Sequence, residues 1–224
     1  MKELLALNRI KMDLRNCDCM DLMKEFPDKY FELAIVDPPY GIGIDGQKLS
    51  RNNKNPKHNR KEHIQKDWDS KTPSDVYFKE LFRVSQNQII WGANYFVEYL
   101  KESHKGWGFW YKGQDNLTMS DGEIFYSSFD VKTRIIILNR VELLKEGTIH
   151  PTQKPVALYK WLLQNYAKKG DKILDTHLGS MSSVIACYDE KFDITGSELD
   201  PDYFKAGMER VRKHTTQVRL DDLI

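Results

Sequence analysis

The chain has 224 residues, enough for one α/β domain with a sizeable core or for a domain with an appendage. Its hydrophobic fraction of 40% and charged fraction of 30% are ordinary for a globular protein and exclude wholesale disorder. The net charge of +1 does not by itself indicate a nucleic-acid partner, so only a local concentration of charge could do so. Three cysteines are too few, and odd in number, for a disulfide framework, which favours a reducing, cytoplasmic environment.

The sequence predicts neither a membrane segment nor a metal site. The first residues, Met1–Asp13, mix charge with leucine and lack the apolar core of a signal peptide. No later stretch is apolar for long enough to cross a bilayer. Cys17 and Cys19 are too close in sequence to form a zinc-finger pair, and no second pair follows them.

Short apolar runs alternate with helical patterns along the chain, which predicts one α/β domain, residues 1–224, with a mostly parallel sheet and helices on both faces. The predicted strands are Ile10–Leu14, Leu33–Asp37, Gln88–Trp91, Gly108–Tyr111, Thr133–Leu138, Lys172–Asp175 and Ile194–Glu198. The predicted helices are Asp75–Val84, Tyr95–Ser103, Lys154–Lys168, Ser182–Asp189 and Pro201–His214. The aromatic segment Gly106–Asp130 is predicted as a β-hairpin region at one end of the sheet.

The first motif with chemical content is Asp37-Pro38-Pro39-Tyr40, at the end of the apolar run that begins at Leu33. It places a carboxylate, two rigid prolines and an aromatic ring just beyond a buried strand, which is where open α/β sheets bind ligands. A strand followed by a plain proline turn is the alternative for this motif alone.

The segment Lys48–Lys66 follows closely and has seven Lys or Arg residues against one acid. A segment of this composition cannot bury enough apolar surface to order itself, so we expect a mobile loop in the free protein. A solvated charge run is the usual explanation, but the place of the segment after the Asp37 turn favours contacts with nucleic-acid phosphates. The candidate residues for such contacts are Lys48, Arg51, Lys54, Lys57, Arg60 and Lys61.

In the second half of the chain, a strand that ends at Asp175 turns through Gly179 into a helix that begins near Ser182. Glycine lets a backbone approach a ligand, and a helix N-terminus offers N–H donors to a carboxylate. Glu198 ends the next strand, where an acid can hold ribose hydroxyls. No GxGxxG is present, so an adenosyl ligand without phosphates fits better than a dinucleotide, although a plain strand–turn–helix fits this segment equally well.

The motif His150-Pro151-Thr152-Gln153-Lys154-Pro155 comes just before this strand and precedes a predicted helix. Thr152 can cap that helix, and Lys154 can present a cation to an amino-acid carboxylate. A proline-bounded helix start is the simpler alternative.

Taken together and in this order, these motifs resemble those of the β-class amino-methyltransferases of DNA, and most closely the phage-like adenine-N6 enzymes of the Asp-Pro-Pro-Tyr type. The resemblance covers nearly the whole chain, from Asp18 to the final helix, with the catalytic half first, which is the circularly permuted arrangement of the family. Four positions depart from the family pattern. Asn16 replaces the glycine of a Gly-Asp-Cys turn, Thr176 and His177 replace a Pro-Phe pair, and Met181 replaces a glycine.

The resemblance implies a Rossmann-like methyltransferase fold with a seven-stranded, mostly parallel sheet and one antiparallel hairpin strand. It implies S-adenosylmethionine as cofactor and methyl transfer to the N6 amino group of a flipped adenine in double-stranded DNA. The Asp37 carboxylate and the Pro38 carbonyl would accept hydrogen bonds from that amino group, Pro39 would stiffen the turn, and the base would stack on Tyr40. The cofactor-binding residues so implied are Asp18, Asp37, His150, Thr152, Lys154, Asp175, His177, Gly179, Ser180, Ser182 and Glu198.

Target recognition is expected in the basic insertion, residues 44–74, with help from Gly113–Asp130. Cytosine-N4 transfer stays open as an alternative, as do an RNA or protein-glutamine methyltransferase and a catalytically silent DNA-binding module. Cytosine-C5 methylation is not expected, because it needs a cysteine nucleophile and no Pro-Cys pair occurs. A homodimer, a cognate restriction enzyme and a phage or bacterial host are compatible with the resemblance, and the sequence decides none of them.

Overall fold

The computed structural model describes residues 10–44, 66–100, 105–113, 120–139 and 147–216, which form an α/β fold around one sheet. Within these ranges the sheet has eight strands, in the order β1-β8-β7-β2-β3-β5-β4-β6. The strands are β1 (Met12–Arg15), β2 (Phe31–Val36), β3 (Ser85–Trp91), β4 (Trp107–Tyr111), β5 (Gly122–Ser127), β6 (Arg134–Ile137), β7 (Lys172–Asp175) and β8 (Asp193–Ser197). Only β5 runs antiparallel to its neighbours, so the predicted mostly parallel fold is confirmed.

Five α-helices lie within the described residues: α1 (Cys19–Lys24), α2 (Asp75–Val84), α3 (Val156–Tyr166), α4 (Ser182–Glu190) and α5 (Pro201–Thr216). Four of them match predicted helices within about two residues at each end, which is the usual uncertainty of helix boundaries. The helix α1 was not predicted, since six residues are too few to show a helical period. It is capped by Asp18, whose carboxylate accepts a hydrogen bond from the Met20 backbone N–H at 2.7 Å.

Two predictions are corrected. The sheet has eight strands and not seven, because the hairpin strand β5 is a full member and pairs with both β3 and β4. The hairpin is therefore inside the sheet, and β6 is the edge strand beyond it. The predicted helix Tyr95–Ser103 is wrong, since 3-10 turns occupy Ala93–Tyr95 and Val97–Tyr99. Aromatic and β-branched residues are weak helix formers, and here the ring of Tyr95 is held against Tyr40.

The core consists of two apolar clusters, one on each face of the sheet. Alternation along β2 sends Leu33 and Ile35 to the face that α3 and α4 cover, and Ala34 and Val36 to the face that α1 and α2 cover. All four side chains are at most 1% exposed, as expected for a parallel strand that is buried on both faces.

The strand order reverses between β2 and β7, and this places the site. From β2 the chain continues to β3 on one side, and from β7 it continues to β8 on the other side. Because β2 and β7 are parallel neighbours, with Ala34 opposite Leu174, their carboxyl ends meet at one edge of the sheet. A crevice at such a point is the usual ligand site of open α/β sheets. In the described part of the chain, no helix is both long and apolar enough to cross a membrane.

Candidate active site

A cavity of about 190 Å³ lies at the point where β2 and β7 end. Asp37, from the turn after β2, and Gly179, from the bend after β7, both line it. The Asp37–Tyr40 motif and the glycine bend therefore share one cleft. Nine of the eleven predicted cofactor-binding residues line this cavity: Asp18, Asp37, His150, Thr152, Lys154, His177, Gly179, Ser180 and Glu198.

A second cavity, of about 510 Å³, adjoins the first and is lined by all four residues of the Asp37–Tyr40 motif. Its volume is typical of small-molecule sites. Both cavities share the residues Asp37, Pro39, Trp68, Thr152, Gln153 and Lys154. Asp37 thus stands at the junction of two spaces, one on the side of the glycine bend and one on the side of the β4–β5 hairpin.

The turn after Asp37 is held in shape by Asp69, which is fully buried. The Asp69 carboxylate accepts hydrogen bonds from the backbone N–H groups of Gly41 at 2.8 Å and Ile44 at 2.9 Å. The Asp69 carbonyl accepts a third, from Gly43 at 3.1 Å. Sequence reasoning did not find this role, because the contact spans more than twenty residues and carries no local signal. Three backbone N–H groups of the turn thus have hydrogen-bond partners on Asp69, and these bonds hold the turn in this conformation.

Tyr40 is packed on a platform of other residues. Its ring stacks on Tyr95, with 5.0 Å between centroids and 14° between planes, and meets Phe96 edge-on. Gly92 makes room for it, since a Cβ on Gly92 would lie 2.1 Å from a carbon of the Tyr40 ring. The Tyr40 hydroxyl donates to Asp37 Oδ1 at 2.6 Å. The ring is therefore available to another aromatic group only where these contacts leave it uncovered.

Asp37 belongs to a cluster of four charged side chains that we call the charge cluster: Asp37, Lys154, Glu123 and Lys112. The Lys154 ammonium contacts Asp37 Oδ2 at 2.5 Å and Glu123 Oε2 at 3.0 Å. Lys112 contacts the other Glu123 oxygen at 2.6 Å. Lys154 is only 3% exposed, and two acids and two cations balance each other, as buried charges require. The sequence motifs included neither Glu123 nor Lys112, because both come from the hairpin.

The two acids of the charge cluster differ in pKa because they have different ammonium partners. Burial raises the pKa of Asp37, and Lys154 only partly opposes this effect. Burial also acts on Glu123, but the two lysines outweigh it and lower the pKa of Glu123 to about 2. The acid with one ammonium partner is thus the better proton acceptor, and the acid with two stays ionised.

On the other side of the junction, Glu198 fixes the glycine bend. Its carboxylate accepts hydrogen bonds from the backbone N–H groups of Gly179 at 2.8 Å and Asp200 at 2.9 Å. Met181, at the position where the family has glycine, is buried and has a left-handed backbone with φ of 58°. Its side chain packs against Gly207 of α5, where an added Cβ would lie 2.7 Å from Met181 Cγ. This chain therefore accommodates methionine here by pairing it with a glycine in the neighbouring helix.

Asp175 and Ser182, both predicted cofactor residues, lie behind the cavity wall. The Asp175 carboxylate accepts hydrogen bonds from Ser183 Oγ at 2.5 Å and from the His177 backbone N–H at 3.0 Å. Ser182 Oγ accepts a hydrogen bond from Arg210 at 2.9 Å. Burial raises the pKa of Asp175 to about 7 and lowers the pKa of His177, which does line the cavity, to about 4. These contacts position the bend from outside the cavity.

Two roles given to the His150–Pro155 motif differ from the observed contacts. Thr152 does not cap the following helix, which has Pro155 at its N-cap and no side-chain cap. Thr152 Oγ1 instead lies 3.1 Å from His150 Nδ1. Lys154 faces Asp37 and Glu123 at the junction, so its ammonium already has two carboxylate partners.

The six residues proposed for DNA contact, Lys48, Arg51, Lys54, Lys57, Arg60 and Lys61, lie outside the described residues.

Three solved structures share this fold over nearly their whole length. The cytosine-N4-specific PvuII DNA methyltransferase matches with a TM-score of 0.60 and 12% identity, over 92% of this chain and 90% of that one. A Thermus thermophilus protein assigned as a DNA modification methylase, in complex with S-adenosylmethionine, has a TM-score of 0.59 and 16% identity, over 93% of this chain and 98% of that one. The M1.HpyAVI complex with S-adenosylmethionine has a TM-score of 0.57 and 16% identity, over 89% of this chain and 99% of that one. At these identities the likeness establishes the fold.

The family follows from the sequence itself. The profile of the N6/N4 family, described as DNA methylase, matches residues 87–209, which is more than half of the chain. The matched region runs from β3 to α5 and includes the His150–Pro155 motif, the Gly179 bend and Glu198. The chain therefore belongs to this family of DNA methylases, whose methyl donor is S-adenosylmethionine, the cofactor that the sequence predicted.

Proposed function

We propose that this DNA methylase is specific for adenine N6 and transfers the methyl group directly to a flipped adenine of double-stranded DNA. The observation that carries the proposal is the position of Asp37, whose side chain lines both cavities. A group that must meet a methyl donor on one side and an amino group on the other has to stand at such a junction.

The chemistry of the smaller cavity suits the cofactor. Three carboxylates, Asp18, Asp37 and Glu198, line it, and this favours a ligand that carries positive charge and hydroxyl groups. When bound, S-adenosylmethionine supplies an electrophilic methyl group on a positively charged sulfur. Glu198 would hold the ribose hydroxyls and Asp18 the adenine of the cofactor. Gly179 and Ser180 would approach its methionine end.

The larger cavity suits an extruded base. An exocyclic amino group is a poor nucleophile because its lone pair is delocalised into the ring. The Asp37 carboxylate and the Pro38 carbonyl would accept its hydrogens and favour attack by the nitrogen, and Asp69 keeps that turn from rearranging. Tyr40 and Tyr95 together would offer aromatic surface to a base that has left the duplex.

The preference for adenine rests on Asp37 itself, because the Asp-Pro-Pro-Tyr form of the motif resembles that of adenine-N6 enzymes. Cytosine-N4 transfer is the second candidate, since the PvuII enzyme of similar fold is cytosine-N4-specific. The two reactions leave different products on DNA.

DNA contact is proposed for the insertion at residues 44–74. The described residues on either side of its basic part support this assignment. Ile44 lines the larger cavity, and Lys66 binds Asp200 at 2.5 Å and lies over the ring of Tyr203, which lines the smaller one. The described residues that flank the basic segment thus lie beside the two cavities.

From the resemblance we also propose a cytoplasmic location in a bacterial or phage-infected cell, a homodimer and a cognate restriction enzyme.

The test is to incubate the protein with S-adenosylmethionine and unmethylated DNA of mixed sequence, and to digest the DNA to nucleosides for mass spectrometry. N6-methyl-2′-deoxyadenosine is the expected product, and Asp37→Ala is the control that should yield none. N4-methyl-2′-deoxycytidine in its place would establish the second candidate. Neither product, from protein that also fails to bind the cofactor in calorimetry, would indicate a silent DNA-binding module.

A further inference from the structure

The charge cluster contains two residues, Glu123 and Lys112, that the Asp37–Tyr40 motif does not account for. Glu123 lies on β5 opposite Trp110, and Lys112 directly follows β4. The Lys112 backbone N–H donates to the Asp121 carbonyl at 2.8 Å, which holds the hairpin closed at this point. Both residues line the larger cavity, so the hairpin adds a carboxylate and an ammonium to the wall that faces the amino group.

The contacts of Lys154 connect the two acids. Its ammonium bonds to Asp37 Oδ2 at 2.5 Å and to Glu123 Oε2 at 3.0 Å, so a single ammonium bridges the two carboxylates. The Glu123 carboxylate has an ammonium on each oxygen, because Lys112 occupies the other one at 2.6 Å. Within the described parts of the chain, Asp37 contacts one ammonium and the Tyr40 hydroxyl. The cluster can therefore take up a proton at Asp37 more easily than at Glu123.

Methyl transfer to an amino group releases a proton, and some group must take it up. A bond forms between the amino nitrogen and the methyl carbon, the carbon–sulfur bond breaks, and its electron pair returns to sulfur. The nitrogen is left with a positive charge and must lose one hydrogen as a proton. If Asp37 takes it, Asp37 becomes a neutral acid and Lys154 loses half of its ion pairing while it is still buried. Glu123 is then the anion that keeps Lys154 paired.

We propose that Glu123, held by Lys112, is a positioning residue that keeps Lys154 ion-paired while Asp37 accepts the proton from the methylated amino group. The inference rests on the proposed function, since it concerns the same reaction. The proton passes from the nitrogen to an Asp37 oxygen and then to water when the product leaves. Neither Glu123 nor Lys112 needs to touch the cofactor.

The test compares two variants with opposite expected effects. Glu123→Gln removes an anion near Asp37, so Asp37 becomes more acidic and the acidic limb of the pH–rate profile moves down by about one to two pH units. Lys112→Met removes a cation, leaves one lysine for two acids and moves the same limb up by a similar amount. Single-turnover transfer by Glu123→Gln should be about 10- to 100-fold slower at neutral pH and should not recover at higher pH. Lys112→Met should recover at higher pH.

The control is Glu32→Gln. Glu32 lies on β2 and pairs with Lys172 at 3.1 Å, at the end of the strand away from the cavities, so its loss should leave the limb in place. Among the described residues, Tyr40, Tyr77, Tyr159 and Asp175 are further titratable groups that interact with Asp37. The pKa values of the three tyrosines are raised, so none of them gives an acidic limb. The Asp175 carboxylate bonds to Ser183 and His177, so a limb due to Asp175 should move less in the two variants than one due to Asp37. Cofactor affinity by calorimetry should stay within about twofold in all three variants.

A second measurement does not depend on activity. Carbon-13 NMR titration of the Asp37 carboxyl, identified by its loss in Asp37→Asn, should show the same downward and upward shifts in the two variants. If the wild type methylates neither base, the proposed function fails, and the titration alone still decides whether Glu123 and Lys112 control Asp37. If the wild type is active and neither variant moves the limb or the titration, the positioning role is overturned. Should Glu123→Gln not fold, the upward shift in Lys112→Met decides by itself.

Discussion

Gly92 and Gly43 offer a matched test of how the Tyr40 ring is held. Both have a left-handed backbone, with φ of 65° and 68°. A Cβ on Gly43 would meet nothing within 4 Å, whereas a Cβ on Gly92 would lie 2.1 Å from the Tyr40 ring. Alanine at either position costs about 1–2 kcal/mol for the backbone conformation. Only Gly92→Ala adds the cost of overpacking, about 1–3 kcal/mol.

We therefore expect Gly92→Ala to lower the free energy of unfolding by about 1–3 kcal/mol more than Gly43→Ala does, measured by urea denaturation. Gly92→Ala should also slow methyl transfer, because the displaced ring cannot keep its hydroxyl on Asp37. In a Tyr40→Ala background the clash disappears, so the two glycine substitutions should cost the same. Equal costs in the wild-type background would refute the packing argument.

Three further predictions concern the chemistry, the DNA contact and the pH dependence. Asp37→Ala should abolish transfer in the nucleoside assay while calorimetry shows much of the cofactor affinity retained; near-normal turnover would contradict its assigned role. Neutralising Lys54, Lys57, Arg60 and Lys61 together should weaken DNA binding and flatten its dependence on salt, and an unchanged slope would mean that these charges are only solvated. Asp175→Asn should change the stability profile between about pH 4 and pH 7. The raised pKa of Asp175, about 7, contributes stability that is lost as the pH rises through this range, whereas the lowered pKa of His177, about 4, makes stability rise over much of the same range. With Asp175 removed, urea denaturation should show stability that rises from about pH 4 to about pH 6.5 more steeply than in the wild type.

The part of the site that follows strand ends could be predicted from the sequence. Asp37 and Gly179 each come directly after an apolar run, and parallel strands bring their carboxyl ends to one edge of the sheet. Asp18, Asp37, His177, Gly179, Ser180 and Glu198 follow strand ends and line the same cavity for this reason, whereas His150, Thr152 and Lys154 were predicted from their motif. The alternation of apolar runs with helical patterns likewise predicted the fold, because buried parallel strands have few polar positions.

The residues that the sequence did not reveal reach the site through long-range contacts. Glu123 and Lys112 depend on the register of the β4–β5 hairpin, and this register is not visible in the alternation of its side chains. Asp69 acts through backbone N–H groups that any residue could supply. The eighth strand, β5, was missed for a related reason, since a hairpin predicted from aromatic residues and turns does not tell whether its second strand pairs with the rest of the sheet.

Lys154 connects two parts of the site that are far apart along the chain. It lies 117 residues from Asp37 in sequence, and yet its ammonium is bonded to the Asp37 carboxylate. The sheet makes the same connection, since β2, which precedes Asp37, pairs with β7, which precedes the Gly179 bend. Both contacts depend only on which strands are neighbours, and neither requires one part to precede the other. A buried ion pair that loses one partner costs about 3–5 kcal/mol, so the Asp37 carboxylate and the His150–Pro155 motif constrain each other whichever comes first along the chain.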